Sequence, residues 1–238
     1  MDTLVTAMLL ATIAGATIPV GALLARHEHI RIRWLETEFR HIVVAFGGGV
    51  LMAAVSLVLV PDGIEHLSLL WICIAFGGGG YVFMLVDRAV AQHGGAGAQL
   101  MAMLLDFVPE AMAVGAALAM NRPAGLLLAL LIALQNLPEG FNAYRELSAH
   151  SRRTPNAIIL SFSALVLLGP AMALVGHMVL AMLPALLGGM MLFAAGGIVY
   201  LTFQDIAPQA VYRGHWAPPL ATVAGFLLGL IGKVLLVH

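Results

Sequence analysis

Long apolar segments, separated by short polar ones, fill almost the whole chain. Each run approaches or exceeds the roughly 20 residues that an α-helix needs to cross a bilayer, and an unbroken apolar run of that length is typical of a membrane-spanning helix. The pattern predicts eight helices, over 3–25, 41–61, 69–92, 98–120, 124–146, 157–182, 184–206 and 215–237. Little chain remains between them, so we expect one transmembrane domain over 1–238 and no soluble domain.

Composition agrees with this pattern. The chain is 61% hydrophobic and 10% charged, whereas soluble domains carry about 25% charged residues. We therefore predict an all-α polytopic membrane protein in contact with the lipid bilayer. The net charge of −1 gives no indication of a nucleic-acid partner. The single cysteine, Cys73, excludes an internal disulfide and a cysteine-based metal cluster.

Basic residues predict the orientation, because cytoplasmic loops are enriched in Lys and Arg. Placing the N-terminus outside puts most of the 11 Lys and Arg residues in cytoplasmic loops. We therefore expect both termini outside, in the cell membrane (the bacterial inner membrane or the plasma membrane). The first segment has no basic residues before it, so we expect a helix and not a cleaved signal. The segment 26–40 is expected to lie along the cytoplasmic face as an amphipathic stretch.

Two glutamates lie inside apolar helices, each directly after a proline: Pro109-Glu110 and Pro138-Glu139. Asp106 precedes Glu110 by four residues, which places both carboxylates on one face of the fourth helix. Gln135 precedes Glu139 by the same spacing, with Asn136 beside it. Only 121–125 joins the fourth and fifth helices, so they are expected to pack together and to bring these side chains near the middle of the bilayer.

This constellation predicts a cation site. Intramembrane carboxylates are costly and usually face a polar cavity with a function. Each proline also removes one helical hydrogen bond and frees the carbonyl four residues earlier, at Leu105 and Leu134. Carboxylate, amide and carbonyl oxygens suit divalent cations. Three acids exceed the charge of one divalent ion, so we expect the empty site to hold a proton that metal binding releases. The alternative is that the acids only tie helices together by hydrogen bonds.

Other polar residues lie near helix ends. Asp62, Glu65 and His66 are expected to form either an access funnel at the outer end of the second helix or an ordinary solvated helix end. His177 is expected to bond to a neighbouring helix, with metal ligation as the alternative. Asp87 is expected to form an interfacial pair with Arg88.

Two further patterns concern the scaffold. Glycine-rich runs occur at 46–50, 76–80 and 193–200, where small residues are expected to let helices pack closely. Apolar-Pro-polar triplets recur at 60–62, 108–110, 137–139 and 207–209. Transporters often contain internal repeats around a midplane site, although these triplets alone are too short to prove a duplication.

The motifs DFVPEA (106–111) and QNLPEG (135–140) resemble the paired motifs of the ZIP (ZRT/IRT-like) metal transporters. The segments 193–210 and 45–63 resemble the seventh and second helices of that family. The resemblance implies eight helices with both termini outside, and a primary metal site at Asp106, Glu110, Gln135 and Glu139. It implies that Asn136 belongs to a secondary site and that Asp205 and Gln209 form an exit site on the cytoplasmic side.

This sequence also departs from the family pattern. Asp106 stands where the family has His, which gives an all-oxygen site and favours manganese, iron or magnesium over zinc. Phe107 stands where the family has Asn, and Gly169-Pro170 stands where it often has Glu-Pro. We therefore expect one metal ion at the centre and not two.

The leading hypothesis is a non-enzymatic transporter that moves divalent metal ions toward the cytoplasm, with zinc, iron and manganese all open. The metal is the transported substrate, and no prosthetic group is expected. A non-transporting metal sensor or scaffold on the same fold is the alternative. An intramembrane protease is disfavoured because the helix interiors offer no His at helical spacing to Glu110 or Glu139. A homodimer is compatible with the glycine-rich helix faces.

Overall fold

The structure is a computed structural model that describes residues 2–27, 33–92, 98–120, 122–151, 153–212 and 214–237. These residues form eight long helical segments and contain no strand. We name them α1 (Thr3–His27), α2 (Arg33–Ala54, extended by Val55–Leu59 and Val60–Ile64), α3 (Leu69–Gln92), α4 (Ala98–Ala119), α5 (Ala124–His150), α6 (Pro155–Leu165 and Leu168–Met178), α7 (Pro184–Leu201, extended by Thr202–Ile206 and Ala207–Ala210) and α8 (Ala217–Val237).

Within the described residues, α1 to α3 and α5 to α8 are seven helices that are long and apolar enough to cross a membrane. The remaining helix, α4, has 22 residues and carries Asp106 and Glu110. The chain is therefore a multi-pass membrane protein, as its sequence predicts. The observed helix bounds differ most from the predicted ones at α2, which begins at Arg33 and not at residue 41. The charged residues there continue the helix instead of forming a separate stretch, and residues 28–32 of the expected amphipathic segment lie outside the described residues.

Two helices contain a π-helical turn that precedes a proline. In α2 a π-helical turn at Val55–Leu59 precedes Pro61, and in α7 a π-helical turn at Thr202–Ile206 precedes Pro208. A proline cannot donate a backbone hydrogen bond, and single π-helical turns often mark functional positions in helices. In contrast, α4 and α5 continue as α-helix through Pro109 and Pro138.

Four helix pairs form the framework: α1 with α5, α6 with α4, α2 with α8, and α7 with α3. Each pair crosses at two glycines, and each glycine faces the backbone carbonyl three residues before its partner glycine. A Cβ added at any of these glycines would lie only 1.9 to 2.3 Å from that carbonyl oxygen. The eight crossing glycines are Gly21, Gly49, Gly79, Gly115, Gly140, Gly176, Gly196 and Gly225. The close packing expected from the glycine-rich runs is confirmed.

The four crossings reveal an internal pseudo-two-fold arrangement. Gly49 of α2 packs on Thr222 of α8, and Gly196 of α7 packs on Phe76 of α3 in the same way. Each of these two glycines lies 12 residues before the proline that follows the π-helical turn of its helix. The same correspondence relates α1 to α6, α3 to α8 and α4 to α5. Because an even number of helices, four, lies between α1 and α6, the equivalent halves run in opposite directions. Inverted repeats of this kind are common in transporters, and the recurring Pro triplets of α2 and α7 are part of the repeat.

Candidate metal centre

The carboxylates and amides of α4 and α5 meet inside the bundle, on helices that contact each other. Glu110, Gln135 and Asn136 are fully buried, Asp106 is 3% exposed and Glu139 is 5% exposed. Asp106 lies within electrostatic range of both glutamates. The sequence placed these five residues together from helical spacing and the short connection 121–125, and the structure brings them to one region of the core.

Oxygen atoms without a partner distinguish this region. Within the described residues, six buried side-chain oxygens have no hydrogen-bond partner, and all six belong to α4 or α5. They are Asp106 Oδ1, Glu110 Oε1, Gln135 Oε1, Asn136 Oδ1, Glu139 Oε2 and Asn142 Oδ1. A buried polar atom without a partner costs about 1–3 kcal/mol, so such a concentration on two helices calls for a ligand that binds oxygen.

A hydrogen bond links the two helices at the centre of this region. Gln135 Nε2 donates to Glu110 Oε2 over 2.8 Å. The relation that pairs Gly140 of α5 with Gly115 of α4 also pairs Gln135 with Glu110. The hydrogen bond therefore joins equivalent positions of α4 and α5.

Asn136 and Phe107 are turned toward α1. Asn136 Nδ2 donates to the Ala14 carbonyl over 3.1 Å. The Phe107 ring is fully buried and lies against Gly15 and Gly169, where its Cζ atom would be 3.1 and 3.2 Å from an added Cβ. The ring thus fills the space between α4, α1 and α6, next to Gly169.

Two narrow cavities reach this region from one end of the bundle, which we call the Asp205 end. The first is lined by Asp106, Glu139 and Asp205, and the second by Glu139, Asn142 and Gln209. Each has room for about one water molecule. Asp205 and Gln209 therefore line cavities that adjoin the centre, and the exit site that the resemblance implies for them stays a prediction.

Asp62 and His66 lie at the opposite end, which we call the Glu65 end. They line a cavity together with Arg122, Leu187 and Met191, and this cavity includes none of the carboxylates of the centre. Arg122 Nη1 bonds Glu65 over 2.8 Å across its mouth. Among its lining residues, Ala117 of α4 and Met191 of α7 are buried and apolar.

His177 bonds to a neighbouring helix: its Nε2 lies 3.0 Å from Thr3 Oγ1 of α1. This contact agrees with the packing role that the sequence favoured. Asp87, which the sequence paired with Arg88, accepts a hydrogen bond of 3.0 Å from the Tyr200 hydroxyl. The sequence gave no indication of that contact, because α3 and α7 are far apart in the chain.

Asn142 was not predicted as a site residue. It is 9% exposed, lines a cavity with Glu139 and has an unpartnered Oδ1. Its position could have been inferred, because Gln135, Glu139 and Asn142 follow the i, i+4, i+7 spacing of one helix face.

Within the described residues, no three His, Cys, Asp or Glu side chains are already arranged as a cluster that could hold a metal ion. The unpartnered buried oxygens belong instead to three carboxylates and three side-chain amides. Compared with known proteins, the chain matches no family model, and no curated protein matches it either.

Proposed function

We propose that the protein transports divalent metal ions across the membrane, through a site formed by Asp106, Glu110, Gln135 and Glu139, and that it is a divergent member of the ZIP family. The observation that carries this proposal is the group of unpartnered buried oxygens on α4 and α5. Three of those oxygens belong to carboxylates, and no basic side chain is among the buried charged residues that the structure describes.

The chemistry of the donors supports a hard or borderline divalent cation. Carboxylate and amide oxygens are typical ligands of manganese and magnesium, and they also bind iron and zinc. The carboxylates that the structure describes are not by themselves arranged as a closed cluster. A bound cation would attract both the carboxylate oxygens and the amide oxygens toward itself. One ion at the centre agrees with the Phe107 ring, which occupies the space beside Gly15 and Gly169.

The cavities support a carrier in which access alternates between the two ends. The cavity that includes Asp106 and Glu139 also includes Asp205, whereas the cavity at the Glu65 end includes none of the central carboxylates. Transport requires a second arrangement in which the Glu65 end opens. The inverted repeat offers such an arrangement, because equivalent helices of the two halves can exchange roles at the two ends. In the proposed orientation both termini are outside and metal moves toward the cytoplasm.

Uptake into proteoliposomes tests this function. The wild type is compared with Glu110→Gln/Glu139→Gln, which keeps side-chain size and removes two charges, and with Asp2→Asn as a matched exposed control. Zinc, manganese, iron, cobalt, cadmium and magnesium are offered in turn. We expect uptake by the wild type and by Asp2→Asn, and only the level of protein-free liposomes for the double variant. Equal uptake by all three proteins would refute the site.

A sensor or scaffold on the same fold predicts a different result. In that case the wild type binds metal at the centre and transports none of the six ions. Binding is measured on the same detergent-purified protein, so that a folded, binding and non-transporting protein is distinguished from an inactive preparation.

A further inference from the structure

A large apolar cavity lies between α2, α7 and α8. Its volume is about 360 Å³, whereas the two cavities that reach the metal centre each have room for about one water molecule. Among its eleven lining residues, Thr202 and Thr222 are the two with polar side chains, and the Thr202 hydroxyl already donates to the Ile198 carbonyl over 2.8 Å. Water is therefore a poor occupant, because an apolar cavity of about 150 Å³ in another protein stays dry.

The cavity opens on the apolar surface of the bundle. Val211 and Val223 line it, and each is 60% exposed. Leu220 and Leu227 share a helix face with Val223 by their spacing, and both are more than half exposed. Since the chain is a multi-pass membrane protein, this apolar face of α8 contacts lipid. The cavity is therefore continuous with a surface that the bilayer already covers.

Trp216 indicates the depth of the cavity in the bilayer. It directly precedes α8 and is 86% exposed, and tryptophan is enriched at the membrane–water interface. Pro219, Thr222 and Val223 line the cavity and follow Trp216 by three to seven residues, which corresponds to about 5–10 Å along a helix. The cavity thus lies just below the headgroups, at the level of the lipid acyl chains.

The equivalent half of the repeat fills this space with a side chain of its own. The offset that relates α2 to α7 places Leu192 at the position of Ala45 and relates Gly63 to Ala210. Leu192 is 1% exposed, and its Cγ atom lies 2.7 Å from the place where a Cβ of Gly63 would be. Ala45, which lines the cavity, is too short to reach across to Ala210 in this way.

A second exchange enlarges the cavity further. The offset that relates the α8 crossing to the α3 crossing places Phe76 at the position of Thr222. Phe76 packs against the buried core, whereas Thr222 lines the cavity. Two large side chains of one half therefore correspond to two small ones in the other. The repeat is filled by protein on one side and left open to lipid on the other.

The cavity shares a wall with the approach to the metal centre. Gly48 and Ile206 line both this cavity and the narrow cavity of Glu139 and Asn142. The two wall residues are in contact, since a Cβ added at Gly48 would lie 2.7 Å from Ile206 Cγ2. Ile206 also ends the π-helical turn of α7. A molecule in the apolar cavity would therefore pack directly against the wall that faces Glu139.

We propose that this cavity binds one acyl chain of a bilayer phospholipid, which takes the place that Leu192 and Phe76 occupy in the equivalent half. An acyl chain matches the apolar lining, the depth and the opening toward lipid. The bound chain packs against Gly48 and Ile206 and supports the π-helical turn of α7. The site depends on the membrane location of the chain and goes beyond the proposed transport of metal ions.

Photolabelling of the full chain in proteoliposomes tests the site. The vesicles contain dioleoyl phosphatidylcholine with a small fraction of phosphatidylcholine that carries a photoreactive diazirine on one acyl chain. Labelled residues are located by peptide mass spectrometry. Ala45→Leu and Thr222→Phe introduce the residues of the equivalent half. Leu235→Phe is the matched control, because it enlarges an exposed position of α8 that does not line the cavity.

Val223 and Val234 provide the comparison within one helix. They are 60% and 62% exposed, and Val223 alone of the two lines the cavity. We expect about fivefold or more labelling of Val223 over Val234 in the wild type and in Leu235→Phe, because a bound chain stays in place longer than boundary lipid. Ala45→Leu and Thr222→Phe should each reduce the label on Val223 to the level of Val234.

Equal labelling of Val223 and Val234 in the wild type would overturn the proposal, whether boundary lipid or a second copy of the chain covers the cavity. This comparison needs no variant, so it remains decisive if a variant fails to fold. Strong labelling of Val223 that persists in both folded cavity-filling variants would also overturn it. Neither result bears on metal uptake, which is measured separately.

Discussion

Replacing Gly79 by alanine tests the glycine crossings on which the framework depends. A Cβ at this position would lie 1.9 Å from the Phe193 carbonyl oxygen, whereas ordinary contacts begin at 3.4 Å. Since both groups belong to helix backbones, α3 and α7 would have to separate by about 1.5 Å. A gap of 0.5–1 Å already removes about a quarter to a half of the dispersion energy of a contact.

The expected magnitude follows from opposing terms. Overpacking of a well-packed core costs roughly 1–3 kcal/mol, and this site should lie at the upper end because no flexible side chain can move aside. Alanine gains about 1 kcal/mol over glycine in helix propensity, which leaves a net loss of about 2 kcal/mol. For a chain of this size that loss corresponds to a decrease of about 4–8 °C in melting temperature.

The neighbouring residue supplies the control. Gly78 lies in the same helix, and a Cβ there has nothing within 4 Å. Gly78→Ala should therefore leave the melting temperature unchanged or raise it by a few degrees, through the propensity gain alone. The assay is the fraction of monodisperse protein that remains after heating in detergent. A similar decrease in both variants would refute the reasoning.

A double variant extends the test. Gly196 faces Phe76 at the same α3–α7 crossing. Once Gly79→Ala has separated the helices, Gly196→Ala should cost less than it does alone, so the two changes should be less than additive. Gly79→Ala combined with Gly115→Ala, at the α4–α6 crossing, should be close to additive. Additivity in both combinations would contradict a shared crossing.

Four further outcomes are expected from single changes. Phe107→Ala should lose about 3–5 kcal/mol of stability in a heating assay, because its ring is fully buried against two glycines. Gln135→Leu should weaken metal binding by about 10–100-fold, since Glu110 loses its hydrogen-bond donor; unchanged binding would contradict this role. Asn142→Ala should lower uptake while leaving the melting temperature nearly unchanged, because it removes a buried oxygen that has no partner. Lys233→Met should lower the melting temperature through a cost of about 1–3 kcal/mol, since the Leu57 carbonyl loses its donor.

Much of the fold could be predicted because few backbone structures can satisfy their hydrogen bonds inside a bilayer. Apolar runs of spanning length can only be helices, so the count and the approximate bounds follow from the sequence. The bounds were least accurate where a helix continues beyond the apolar run, as at Arg33 and His150. Charged residues there extend the helix outside the apolar core, and hydropathy gives no signal for such extensions.

The pairing of the helices could not be predicted in the same way. Glycine runs indicated close packing but not the partner, because several glycines in one run differ in their surroundings. Gly79 contacts a backbone carbonyl, whereas Gly77 and Gly78 contact nothing within 4 Å. Only the three-dimensional crossing distinguishes them, and the internal repeat becomes visible only when the crossings are compared.

The candidate centre was predictable where its signal is local. Asp106, Glu110, Gln135 and Glu139 follow helical spacing on adjacent helices, and that spacing was sufficient to group them. The hydrogen bond between Tyr200 and Asp87 was not predicted, because the two residues are 113 positions apart in sequence. Contacts between distant helices leave no local pattern.

The framework is symmetric in its backbone but not in its charge, and this difference bears on direction. Near the Glu65 end the opened turn of α2 already has a cation in Lys233, and Arg122 bonds Glu65 nearby. Near the Asp205 end the equivalent turn of α7 has two carboxylates and no corresponding lysine. For a divalent ion at the proposed centre, the acids near the Asp205 end are attractive, whereas Asp62 and Glu65 offset the charges of Lys233 and Arg122 near the Glu65 end. Asp87→Lys would place a positive charge near the Asp205 end, so it should slow release toward that end more than it slows binding at the centre.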